Sequence, residues 1–155
     1  MQPWELQLLR LTTALRTQLL ASLTDADLAF APPGNPPLGE LCRDIGDTER
    51  AYIDSFRTRR LVWDAKNEAP GLAGSVERLA AWYADLDAEL EAALAAIPED
   101  EFRNGKVDRG EGFMMPIPSQ FHTYREAILI FCAKADVYLR SMGKHRGEQW
   151  EDWIG

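Results

Sequence analysis

A chain of 155 residues can bury an apolar core in one domain without help from metal or disulfides. Hydrophobic residues make up 46% and charged residues 27%, an ordinary soluble composition, and 25 acidic side chains against 17 basic ones leave a formal charge of -8. That surplus repels a phosphate backbone and excludes nucleic acid as a partner, since the only basic run, Arg57-Thr58-Arg59-Arg60, reads as the solvated end of a helix.

Four segments carry helical periodicity and none alternates like a strand. In the first, Trp4, Leu8, Leu11, Leu15, Leu19 and Leu23 recur at steps of three or four and predict one apolar stripe. Asp25-Ala26-Asp27 and the proline-rich Ala31 to Gly34 end it. Asn35 is the expected N-cap of a second helix, with Pro36 in the first turn, where a missing N–H costs nothing. That helix runs to about Arg59 and buries Leu38, Leu41, Cys42, Ile45, Tyr52 and Phe56.

Pro70-Gly71 and Gly74 mark a connection, and Ser75 is the expected N-cap of the third helix. Its stripe is Val76, Leu79, Tyr83, Leu86, Leu90, Leu94 and Ile97, and Pro98 stops it. Residues 102–118, with turn signals at Asn104-Gly105 and Arg109-Gly110, predict either a lid over a pocket or a small hairpin on the bundle end. Phe113, Met114 and Met115 would then line a pocket or plug that end. The fourth helix opens near Ser119. Its stretch Ala127 to Ala133 is apolar all the way round, which predicts that protein surrounds it, and Gly143 closes it as a left-handed cap.

Four helices around one core predict an all-α four-helix bundle, a single domain over residues 1–155 with 143–155 as a tail. Trp150, Trp153 and Ile154 in that tail need a covering surface, on this chain or on a second copy. Met1 to Trp4 runs straight into a helix without a basic leader, and the apolar run Ala127 to Ala133 is too short to span a bilayer, so no membrane association is expected. Cys42 and Cys132 have no metal-type spacing and read as reduced core thiols of a cytoplasmic protein.

Leu23-Thr24-Asp25-Ala26-Asp27-Leu28 with its following proline-rich turn, Leu38 to Arg50, and Tyr138-Leu139-Arg140-Ser141-Met142-Gly143 together resemble the DinB/YfiT-like family of four-helix bundles. The resemblance covers most of the chain in the right order. It implies an up-down-down-up bundle and frequent homodimers. It also implies a divalent metal held by three histidines, one on the second helix and two a turn apart on the fourth, serving hydrolase-like or thiol-transfer chemistry. At those positions this chain carries Asp44, Ala127 and Phe131. Alanine and phenylalanine offer no lone pair, so the resemblance carries no metal site with it in this register.

The sequence therefore nominates an inter-helix pocket near Asp44, Thr123, Ala127, Phe131 and Cys132 that takes a small molecule or a protein partner without a cofactor. Asp44 interrupts an apolar helix face and is either a ligand-binding acid or an exposed acid paired with Arg43 or Arg125. An alternative set of Asp44, His122 and Glu126 could hold Zn, Ni or Mn for a metal-dependent hydrolase or thiol S-transferase, because His122 and Glu126 share a helix face. Cys132 is a nucleophile only with a base beside it, and otherwise an inert buried thiol. His145 is expected in solvent. A third reading is a dimeric structural protein in which the Trp150 and Trp153 tail covers its twin.

Overall fold

The computed structural model describes residues 3–64 and 66–155. Met1 and Gln2, at the start of the expected first helix, lie outside the described residues. Four long helices make the bundle: α1 (Pro3–Ala21), α3 (Leu38–Thr58), α4 (Val76–Ala95) and α6 (Ile117–Ser141). Short elements join them: α2 (Asp25–Leu28), a 3-10 turn at Leu72–Gly74, α5 (Glu99–Asn104), the strands β1 (Lys106–Asp108) and β2 (Met114–Pro116), and the tail helix α7 (Glu148–Trp153).

Pairs of touching residues fix the directions. Arg10 meets Glu91 while Arg16 meets Asp87, so α1 and α4 run antiparallel. Cys42 meets Tyr83 while Arg50 meets Glu89, so α3 and α4 run parallel. Gln120 meets Ser55 and Tyr138 meets Pro36, which sets α6 antiparallel to α3. The order is up, down, down, up, and it needs the long 59–75 connection to carry the chain back for the second downward helix. Across the bundle α1 faces α3 on a diagonal.

Local chemistry explains most boundaries. Thr24 and Asp27 form a capping box at α2, each satisfying a backbone N–H of the other. Ser75 accepts from the Arg78 N–H at the start of α4. Arg59 ends α3 with φ 61, and Gly143, at φ 65, follows the last turn of α6. The start of α3 differs from the sequence expectation. Pro37 is its N-cap and Leu38 its first residue, while Asn35 donates its side-chain N–H to the Pro33 carbonyl and stays in the turn. Pro36 and Pro37 disfavour helical backbone at the residues before them, so the helix cannot begin at Asn35 and starts at Leu38.

Residues 106–116 form the hairpin, with Val107 opposite Met115 and buried. Asp108 also pairs with the 59–61 segment, through Asp108 N–H to Arg59 O and Leu61 N–H to Asp108 O, so the hairpin is tied to the end of α3.

Two glycines set how closely elements approach α3. A Cβ on Gly46 would stand 2.3 Å from the Trp82 ring, and one on Gly39 would stand 1.8 Å from the Ala73 carbonyl. Gly39 admits no side chain and Gly46 admits one only if the Trp82 ring moves, and through them α4 and the 3-10 turn press against α3.

Two packing expectations are corrected. On α1 the inward face is Leu9, Thr12, Leu15, Arg16, Leu19 and Leu20, with Leu23 buried just beyond its end, while Trp4 is 57% and Leu11 42% exposed. The buried stripe is rotated because it contains an arginine, which a hydrophobicity pattern assigns to solvent. On α6, Phe131 and Cys132 are buried but Ile130 is 57% exposed, and Ala133 lies in solvent too. The apolar run therefore shows one apolar face outward.

The tail packs on its own chain. Trp150 is buried, its indole N–H donating to the Leu15 carbonyl, and Gln149 donates to the Leu11 carbonyl. Lys144 pairs with Asp27 and Arg146 with Asp136. Trp150 is thus not the residue that covers a twin; Trp153 remains 40% exposed.

Candidate functional site

The α3–α6 seam holds an open cleft of about 270 Å³ lined by Leu41, Asp44, Ile45, Thr48, Ala127, Ile130, Phe131 and Lys134. A second hollow of about 350 Å³ continues it toward the turn before α3, adding Asn35, Pro36, Val137 and Tyr138 and sharing Leu41, Asp44 and Lys134. Asp44, Ala127 and Phe131, far apart in sequence, thus line one surface. Antiparallel packing explains the meeting: the first half of α3 runs beside the second half of α6.

The other nominated residues fall elsewhere. Thr123 lies a turn earlier on α6, its hydroxyl donating to the Ser119 carbonyl at 2.8 Å. Cys132 points into the core. Burial pushes its thiol up to about 12, as it does that of Cys42, so neither is a thiolate near neutral pH. His122 stacks edge-on against Phe121, and Glu126 is exposed. Neither lines the cleft with Asp44. Among the described residues no group of three or more His, Cys, Asp or Glu side chains stands together as an ion site. The cleft offers one carboxylate, a methyl group and a phenyl ring where the resemblance puts three imidazoles. That donor set does not fit a divalent metal.

Asp44 is solvent-exposed, with Arg43 3.9 Å away; Arg125 turns instead to Thr12, 3.2 Å from its hydroxyl. Across the cleft Lys134 forms no ion pair among the described residues. The cleft therefore has an apolar floor of Leu41, Ile45, Ala127 and Phe131, a carboxylate on the α3 wall and an ammonium on the α6 wall.

Sequence reasoning missed a second constellation, at the centre of the bundle. Arg16 and Glu49 are fully buried and form a hydrogen-bonded ion pair, and Arg16 also donates to Asp87 at 2.7 Å. The Arg16 guanidinium lies 4.4 Å from the centre of the Tyr83 ring, and the Tyr83 hydroxyl donates to the Cys42 carbonyl. Burial alone would lower the Arg16 pKa, but Glu49 and Asp87 outweigh it and hold the pKa above its usual value. Two carboxylates share one guanidinium. Burial, and then the nearby Glu49 charge, push Asp87 up to about 7 against the pull of Arg16. The signal was available in the sequence: Arg16 keeps step with Leu9 and Leu19, and Glu49 with Cys42, Ile45, Tyr52 and Phe56.

The molecule is therefore a four-helix bundle with one long crossover connection, an inter-helix cleft poor in metal donors and a buried ionic centre. The chain belongs to the DinB superfamily, whose family model matches residues 8–132. It is similar to the crystal structure of a DinB-like protein from Bacillus cereus ATCC 10987, with TM-score 0.74 and 18% identity over 92% of this chain and 93% of that one. A DinB-like protein (YjoA) from Bacillus subtilis is also similar, with TM-score 0.68 and 13% identity over 87% of this chain and 88% of the other. At these identities the likeness speaks for the fold alone. No curated protein sequence matches the chain. No helix among the described residues is long and apolar enough to cross a membrane.

Proposed function

We propose that this DinB-superfamily chain is a metal-free binding protein that seats a small molecule in the α3–α6 cleft. The observation that carries this reading is the lining. Asp44, Ala127 and Phe131 meet there with Leu41 and Ile45, and among the described residues that line it the charged ones are Asp44 and Lys134. Such a surface suits a compact apolar body bearing an amine toward Asp44, an acid toward Lys134, or both. An aromatic ring fits the floor through edge contact with Phe131.

Thermal melting with phenethylamine, 3-phenylpropionate and phenylalanine tests this, because a ligand bound only by the folded state raises the midpoint. Asp44→Asn should abolish the shift from the amine and Lys134→Gln that from the acid. Metal analysis of protein purified without a histidine tag should find far less than one Zn, Ni or Mn per chain. One tightly held ion per chain, lost on Asp44→Ala or His122→Ala, would replace this reading with a metal-dependent hydrolase or thiol transferase.

A further inference from the structure

The one basic run of the chain, Arg57-Thr58-Arg59-Arg60, ends α3 beside the end of α4, because the two helices run parallel. More than solvent lies there. An open hollow of about 390 Å³ sits between the two helix ends, with an apolar floor of Phe56, Ala92, Ala93, Ala96 and Ile97. Among the described residues that line it the charged ones are Arg57 and Arg59. In a protein of net charge -8 the hollow is thus walled by two guanidiniums and no carboxylate. It shares no lining residue with the α3–α6 cleft.

Both arginines have donors to spare. Glu89 serves two guanidiniums at once: Arg50 takes both its oxygens, at 2.6 and 2.8 Å, and Arg57 reaches Oε2 through Nη1 at 3.0 Å. Asp54 stands off at 3.8 Å from the same Nη1, which leaves the Nε and Nη2 of Arg57 without a partner among the described residues. Arg59 gives Nε and Nη2 to one oxygen of Glu101, at 2.8 and 2.7 Å, and its Nη1 is buried with no hydrogen-bond partner among the described residues. A buried charged donor left unpaired is costly. Arg59 also ends α3 at φ 61, where glycine would be unstrained, so the backbone bears strain at a position that keeps a guanidinium.

The chemistry of the hollow says what meets these N–H groups. The planar guanidinium fork matches a carboxylate. The floor beside it offers methyl groups, a phenyl ring and an isoleucine, with no further polar side chain, which suits a hydrocarbon and not a sugar or a base. We propose that the hollow between the ends of α3 and α4 binds an alkyl carboxylate, with its acid group on Arg57 and Arg59 and its chain over the alanines of α4. The site stands apart from the α3–α6 cleft and does not depend on that cleft holding a ligand.

Isothermal titration calorimetry of the full chain with octanoate tests this, with acetate, octanol and octylamine as controls. One equivalent of octanoate should bind, and each control should bind about tenfold more weakly or worse, acetate for want of the chain and the others for want of the anion. Arg57→Gln and Arg59→Gln should each raise the octanoate Kd about tenfold. Ala92→Glu, which sets a carboxylate into the lining from an exposed helix position, should do the same while the free protein keeps its helical circular dichroism. Lys134→Gln should leave the octanoate affinity unchanged, so failure of the α3–α6 cleft as a ligand site does not decide this one. Absence of octanoate binding overturns the proposal, as does binding no tighter than that of octylamine. Binding that Lys134→Gln abolishes but neither arginine variant weakens overturns it too, by moving the ligand to the other cleft.

Discussion

Arg16 on α1 and Glu49 on α3 form a buried ion pair across the diagonal of the bundle, joining two helices that face each other through the core. Asp87 joins from α4, and the Tyr124 hydroxyl lies in the same buried layer from α6. All four long helices therefore meet around one polar layer. The layer favours one register of the helices, because sliding any helix by a turn would separate the charges in a low dielectric.

Removing one member of this pair should cost more than removing both. Arg16→Met or Glu49→Gln is expected to destabilise the fold by about 3–5 kcal/mol, since each leaves a buried partner uncompensated. The double variant Arg16→Met with Glu49→Gln should lose much less than the two single losses added together. Urea unfolding followed by circular dichroism measures all three.

Asp87 gives the protein a pH-dependent stability. Its carboxyl binds a proton more tightly when folded, up to about 7 against 3.8, so the folded state holds more protons between those values. The stabilisation is complete below about 4 and is lost as pH rises through about 7, with a slope of at most about 1.4 kcal/mol per pH unit. Asp87→Asn should flatten that slope. An unchanged slope in the variant would assign the effect to another group.

The Gly46 contact with Trp82 should not tolerate a side chain. Gly46→Val is expected to lose about 1–3 kcal/mol or more by forcing α4 away from α3. Trp82→Ala in the same chain should recover part of that loss, because it removes the ring that the new methyl groups would strike. Thermal unfolding of the single and double variants gives the comparison.

Histidines placed together at Asp44, Ala127 and Phe131 should create a metal site that the wild-type protein lacks. The triple variant Asp44→His, Ala127→His, Phe131→His is expected to melt several degrees higher with Zn or Ni in excess, consistent with roughly 3 kcal/mol at a hundredfold excess over the dissociation constant. A triple variant that folds but gains nothing from metal would place the three positions too far apart to act together.

The tail is held mainly by Trp150. Trp150→Ala should cost about 3–5 kcal/mol, the range for emptying a fully buried tryptophan site. Deleting residues 143–155 should lower stability by a similar or larger amount, as read by urea unfolding.

Sequence alone determined the number of long helices and most of their ends, because these depend on neighbours within a few residues, and left 102–118 as either a lid or a hairpin. Ser75 caps α4 through Arg78, Gly143 follows α6 at positive φ, and Val76 to Ile97 repeat at helical spacing. Asp44, Ala127 and Phe131 could also be nominated, since motifs in order along the chain carry them.

Tertiary structure alone decided which face of each helix is inside when polarity misleads. Arg16 reads as a surface residue until Glu49, 33 residues away, and Asp87, 71 away, neutralise it inside the core. Ile130 reads as core until α6 turns it outward, and the surface that covers Trp150, on this chain or a twin, is open until α1 is seen to supply it. Burial belongs to the assembled bundle. A desolvated charge is stable only beside its partner, and an apolar side chain is buried only where another element lies over it.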